Sequence, residues 1–210
     1  MTRCALTFAA TQRALASAAL LALAGCASPD TAYYTLRAVP GTPTGGGPSS
    51  VQIRRPSLAG YLDRPEIVRD SSDYRLRLNS GERWGEPLGD LFGRVLAENL
   101  AQRLPGSSVF TEAGAISADP AATVEIDVQR FDLDVGNTAV LLVQAAVQRG
   151  RSHDPGASHS IRLTLPVAGP DTQSLVAAEG QLLGQLADNL AKALRTVGTP
   201  HDSKPAKRRR

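Results

Sequence analysis

Apolar and polar residues alternate over several short runs of the chain and return at the helical period over two long ones. Tyr33 to Val39 is rich in aromatic and β-branched residues, which suits a pleated surface, and predicts a first or edge strand. Val51-Gln52-Ile53 predicts a second strand, halted by Pro56. Tyr74-Arg75-Leu76-Arg77-Leu78 alternates cleanly and predicts a half-buried strand ending at an Asn79-Ser80-Gly81 turn. Residues 107–111 predict another short strand. Thr123 to Gln129 is among the clearest alternations of all, but the phase slips at Arg130, and Phe131, Leu133 and Val135 continue one residue out of step. A β-bulge returns both halves to one face, because one extra residue shifts the side-chain register. Asn137 predicts a turn, followed by strands over Ala139–Gln148 and Ser160–Ala168 with a loop over Arg149–Ala157 between them.

Two segments change period. From Pro87 to Leu104, apolar residues recur at Leu88, Phe92, Val95 or Leu96, Asn99 or Leu100, and Leu104, leaving Asp90, Arg94, Glu98 and Arg103 to face water. Proline suits the first helical position, where its missing N–H has no helical partner, and Pro105-Gly106 stops the helix. After the Gly169-Pro170-Asp171-Thr172 break, with its capping candidates, a second stripe runs through Leu175, Ala178, Leu182, Leu186, Leu190 or Ala193, and Val197. Apolar stripes of this kind seek their own sheet rather than a cofactor groove. The segment Pro40 to Pro48, with four glycines and three prolines, predicts a flexible connection and excludes a helix. Two helices among these strands predict an α/β fold: a single-domain sandwich, its sheet mixed or antiparallel, with both main helices packed on one face. That domain is expected over residues 33–197, followed by a polar basic tail at 198–210.

Composition adds little to this until it is divided along the chain. The 210 residues, 42% hydrophobic and 20% charged, are enough to bury a core without metal or disulfide support. The net charge of +3 is a product of the ends: from Cys26 to Ser203 there are 16 Lys or Arg against 20 Asp or Glu, a net of −4. The central domain is mildly acidic and has no basic helix interleaved with exposed aromatics, so nucleic acid is not an expected partner.

The amino-terminal end carries a different signal. Arg3 and Arg13 precede the apolar run ALASAALLALAG at residues 14–25, with no acid before Asp30, the pattern of a secretory leader. The run is short of the ~20 apolar residues that span a bilayer, and a buried helix is the alternative reading. Leu23-Ala24-Gly25-Cys26 resembles the bacterial lipobox: small residues where the backbone enters a peptidase, then a thiol that takes diacylglycerol. Cleavage before Cys26 removes residues 1–25 with Cys4, makes Cys26 the lipidated first residue and leaves 26–32 as a tether. One acyl chain binds a bilayer marginally, whereas the three that bacterial lipoproteins carry hold a domain there. Ala27 follows the cysteine, with no aspartate to resemble an inner-membrane retention signal, so the expected location is the periplasmic face of the outer membrane.

A search for chemistry returns absences: no G-x-S-x-G turn, no H-E-x-x-H, no P-loop and no four-cysteine spacing. The three histidines are His153, His159 and His201; the first two flank Asp154-Pro155-Gly156, and His153, Asp154 and His159 as ligands would have a spacing with no strong metal precedent, so polar loop histidines are the expectation. No metal, cofactor or catalytic residue is expected. The densest polar-aromatic stretches are Tyr61-Leu62-Asp63-Arg64-Pro65-Glu66-Ile67-Val68 and Arg83-Trp84-Gly85-Glu86-Pro87-Leu88. Asp63, Glu66 and Glu86 lack the defined pairing that acid–base work requires. Arg64 and Arg83 can hold these carboxylates while Tyr61 and Trp84 offer apolar faces, making either a structural corner or a protein-contact surface. The candidate interface is Tyr61, Asp63, Arg64, Arg83, Trp84 and Glu86.

These motifs carry a resemblance. Tyr33-Tyr34-x-Leu36, Val51-x-Ile53, the Tyr61–Val68 and Arg83–Leu88 stretches, and Arg94-Val95-Leu96-x-Glu98-Asn99-Leu100 occur in the order found in the PqiC/YmbA lipoprotein family, and Val176-x-Ala178 with its leucine-rich helix resembles that family's carboxyl-terminal segment. The resemblance runs over about residues 23–197. It implies an auxiliary lipoprotein of an ABC-type system containing mammalian-cell-entry proteins, helping to couple an envelope-spanning lipid-transport assembly to the outer membrane. The implied partners are outer-membrane lipid through Cys26 and a mammalian-cell-entry-domain protein, with homo-oligomers also open. It implies no hydrolysis and transfers no catalytic residue. The Gly/Pro segment near residues 40–48 and the Lys204–Arg210 tail depart from the family pattern. A lipid-anchored adaptor is therefore the leading expectation and a periplasmic lipid-binding carrier its rival, separated by whether the helical stripes leave apolar space for a ligand.

Overall fold

The longest alternation in the sequence becomes the spine of the sheet. The computed structural model describes residues 30–70, 74–116, 118–134, 136–150 and 158–198. Contacts divide the chain into Met1–Thr31 and Ala32–Arg210, and the fold is that of the second unit. In chain order its elements are β1 (Ala32–Tyr34), β2 (Ser50–Ile53), β3 (Ser57–Leu58), β4 (Glu66–Asp70), β5 (Arg77–Trp84), α1 (Leu88–Arg103), β6 (Ser108–Thr111), β7 (Ala122–Asp134), β8 (Thr138–Arg149), β9 (His159–Pro166) and α2 (Thr172–Gly198).

The nine strands form one mixed sheet built around β7. On one edge β7 pairs antiparallel with β8, and β8 pairs antiparallel with β9. Along the other edge three short segments lie in succession parallel to β7: β2, β3 and the end of β4. β2 carries β6 on its far side, and β4 carries β5 and then β1. The expected bulge is present: the β7–β8 register shifts between Val128 and Arg130, which returns Phe131 and Leu133 to the face of Val124, Ile126 and Val128. Asn137 turns the hairpin with φ of 56°, and its side-chain amide donates to the Val167 carbonyl at 2.9 Å.

Both helices cover that face. Phe92 of α1 meets Phe131 of β7 edge to face, ring centroids 5.6 Å apart. Leu88, Leu91, Val95, Leu96 and Leu100 of α1 join Leu175, Leu182, Leu183, Leu186, Leu190 and Leu194 of α2 in one buried cluster with the sheet. Asp171 starts α2, its carboxylate accepting from the Ser174 amide and hydroxyl, each at 2.8 Å. These hydrogen bonds to the charged form hold the Asp171 carboxyl below its ordinary pKa. The α/β sandwich with a mixed sheet and two helices on one face is thus the observed fold.

Several boundaries differ from the pattern. The first strand stops at Tyr34, and Thr35–Val39 runs on irregularly, with Leu36 buried in the core and the Val39 amide donating to Asn99 Oδ1 at 2.8 Å. Pro56 is followed at once by β3, and β4 emerges inside the Tyr61–Val68 stretch. The strand expected at Tyr74–Leu78 begins only at Arg77, and the expected Asn79–Gly81 turn lies inside β5. Tyr74 has φ of 58°, Tyr74, Leu76 and Leu78 are exposed, and two register shifts separate β4 from β5, so this alternation faces solvent rather than the core. Pro87 caps α1 from outside instead of entering it. Arg103, expected in water, is 2% exposed. The Gly/Pro segment forms no helix but is pinned to the domain: the Thr44 amide donates to the Arg103 carbonyl at 2.7 Å, and Ser107 Oγ donates to the Pro48 carbonyl at 2.7 Å. The segment expected to be a leader, Cys26, His153, His201 and the basic tail lie outside the described residues.

Candidate partner-binding site

Antiparallel pairing of β4 with β5 brings the two polar-aromatic stretches together. Glu66, which begins β4, lies opposite Arg83 near the end of β5, so the residues before β4 and those after β5 meet at one corner. Backbone hydrogen bonds fix it: the Trp84 amide donates to the Pro65 carbonyl and the Gly85 amide to the Tyr34 carbonyl, each at 2.8 Å. α1 then leaves from Leu88. The result is a recess of about 340 Å³ whose wall includes Asp63, Arg64, Pro65, Trp84, Glu86 and Leu88.

Four of the six expected interface residues therefore share one site: Asp63, Arg64, Trp84 and Glu86. Trp84 contributes only an edge, because it is 5% exposed and belongs to the core cluster. Arg83 stands beside the recess and pairs with Glu66 at 3.5 Å. Glu86 is held not by Arg64 or Arg83 but by Arg94, in the second turn of α1, at 2.5 Å. Arg64 Nε is buried and has no hydrogen-bond partner among the described residues. Asp63 is exposed.

Tyr61 belongs elsewhere. Its hydroxyl lies 3.0 Å from Asp132 Oδ2 and 3.3 Å from the Gln129 carbonyl, on the sheet face opposite the helices. There Arg130 binds Asp132 at 2.8 Å and Asp134 at 3.3 Å, and Arg162 binds Asp134 at 3.0 Å. Burial opposes the Arg130 charge, but the two aspartates more than restore it and raise its pKa. The sequence distance between Tyr61 and Asp132 conceals this contact; the β3–β7 pairing creates it.

A second carboxylate was not legible as special. Glu82 on β5 accepts from the Tyr34 hydroxyl at 3.1 Å and from the Thr172 hydroxyl at 2.5 Å, tying β1 and the start of α2 to β5. Burial and the Glu82 charge raise the Tyr34 pKa. Among the described residues no three His, Cys, Asp or Glu side chains converge to hold a metal, and no helix is long and apolar enough to cross a membrane.

A family model described as the ABC-type transport auxiliary lipoprotein component matches residues 34–191. No curated protein sequence matches the chain. Among solved structures, an uncharacterized protein superposes with a TM-score of 0.65 at 18% identity, covering 78% of this chain and 98% of its own. A Xanthomonas campestris protein of the DUF330 family superposes with a TM-score of 0.62 at 21% identity, covering 79% and 96%. At these identities the two structures support the fold alone.

Proposed function

Because the chain belongs to the family of ABC-type transport auxiliary lipoprotein components, we propose that it is a lipid-anchored adaptor, held through Cys26 at the periplasmic face of the outer membrane and coupling a mammalian-cell-entry-domain transporter protein to it. The observation that carries this reading is the corner recess. It offers apolar walls from Trp84 and Leu88 beside Arg64, whose buried Nε has no partner among the described residues. An unsatisfied buried donor is costly, and a partner's carbonyl or carboxylate relieves that cost as its apolar neighbours fill the notch. Arginine beside an aromatic edge is a combination favoured where binding energy concentrates.

The carrier alternative fares less well. The apolar residues of both helical stripes are packed into one cluster with the sheet, so the stripes are spent on their own core. A ligand-carrying module needs apolar surface left over for its cargo.

Co-purification tests the adaptor reading. Arg64→Ala, extracted from membranes with its lipid intact and folded by circular dichroism, is expected to recover at least fivefold less mammalian-cell-entry protein than the wild type. Full recovery by that variant would place the contact away from the recess.

A further inference from the structure

The second recess of interest lies where the Gly/Pro segment crosses the ends of both helices. It has a volume of about 530 Å³ and is walled by Gly41, Thr42, Arg103, Asp188, Lys192 and Arg195 among others. That size falls within the range of small-molecule sites. Its charge runs against the domain's: three cations face one acid, in a region where acids outnumber bases 20 to 16.

The recess is built rather than incidental. Arg103 is buried, with Nε 2.5 Å from Asp188 Oδ1 and Nη1 donating to the carbonyls of Asn99 at 3.1 Å and Val39 at 3.2 Å. The backbone of Gly41 lies directly on the guanidinium, so close that a Cβ there would sit 2.2 Å from Arg103 Cζ. Only glycine admits that approach without displacing the arginine. The Thr44 hydroxyl and amide both donate to the Arg103 carbonyl, fastening the segment over the site. Asp188, Lys192 and Arg195 lie on one face of α2, spaced by four and three residues. Arg195 Nε is buried and unpartnered among the described residues.

A purely local explanation is that the cations balance the carbonyl ends of α1 and α2. Each helix end carries roughly half a negative charge. Together with Asp188 that offsets about two of the three cations and leaves about one uncompensated. A carboxylate supplies a single negative charge and two acceptor atoms. A phosphate group supplies more of both, and guanidinium groups match its geometry.

We propose that this recess is a phosphate-binding site, in which Lys192 and Arg195 contact the anion and Arg103, held by Asp188 and covered by Gly41, sets the floor. The phosphate belongs either to an anionic lipid headgroup or to a free phosphate. Isothermal titration distinguishes them, using the full lipidated chain in nonionic detergent at low salt. Inorganic phosphate and soluble dihexanoyl phosphatidylglycerol are the two probes. At least one is expected to bind saturably, and the Lys192→Ala/Arg195→Ala double variant, folded by circular dichroism, is expected to bind it at least tenfold more weakly. Binding of the lipid alone assigns the headgroup as the source, and binding of both assigns the phosphate itself. The single variant Lys192→Glu, on the exposed side of α2, replaces the double variant if that one unfolds, and is expected to weaken binding by the same margin. No saturable binding of either probe by the wild type, or unchanged affinity in a folded variant, overturns the proposal.

Discussion

Glu179 is a carboxyl set into an apolar stripe, between Leu175 and Leu182 on the buried face of α2. Neither of its oxygens has a hydrogen-bond partner among the described residues, and it is fully buried. Burial, and then the nearby Asp132 charge, push its pKa well above the ordinary carboxyl range. Above about pH 4.3 the unfolded chain therefore releases a proton that the folded protein keeps. Stability falls as pH rises through that window, by up to about 1.4 kcal/mol per pH unit from this one group, until Glu179 ionises in the folded state. Glu179→Gln is expected to remove that slope. Urea midpoints from pH 5 to 8 check it: the variant should gain on the wild type as pH climbs, and parallel curves would mean the carboxyl is not held neutral. Trp84→Ala is expected to cost about 3–5 kcal/mol, because the indole is a core group as well as a recess wall. At this scale the sequence was a poor guide. Arg103 sits at a helical position that reads as solvent, and its burial depends on Asp188, 85 residues away, which no local spacing reveals.

Elements were far more legible. Both helices follow their apolar stripes to within three residues at the start, and the phase slip at Arg130 marks a bulge that the β7–β8 register contains. The failure at Tyr74–Leu78 has a physical reason. Alternation separates two faces of a strand without determining whether anything covers the apolar one. Here Tyr74 takes a left-handed backbone conformation, pairing with β4 is irregular, and the stripe stays in solvent. By contrast, Leu182 and Leu186 are wholly enclosed between α2 and the sheet. Truncating either to alanine is expected to cost about 2–5 kcal/mol. Urea unfolding of the chain from Ala27 onward measures this, and unchanged midpoints for both would mean that α2 packs through another face.

At the scale of the whole chain, the folded α/β unit follows an amino-terminal sequence that resembles a lipoprotein leader ending in a lipobox. Lipidation at Cys26 is expected to give a membrane-extracted species that begins at Cys26 and carries acyl mass, which Cys26→Ser abolishes; intact mass spectrometry reads both. The family and the fold were within reach of the sequence because the ordered motifs Tyr61–Val68 and Arg83–Leu88 are contiguous runs. The corner they form was legible as a cluster but not as a shape. Tyr61 leaves it for Asp132, and Glu86 takes Arg94 as its partner. The adaptor claim is tested most directly by photo-crosslinking in intact cells from a light-activated residue placed at Asp63, the exposed rim of the recess. A covalent adduct with the mammalian-cell-entry-domain protein, lost when Arg64 is changed to alanine, is the predicted result. No such adduct from a folded, lipidated chain co-expressed with that protein would contradict it.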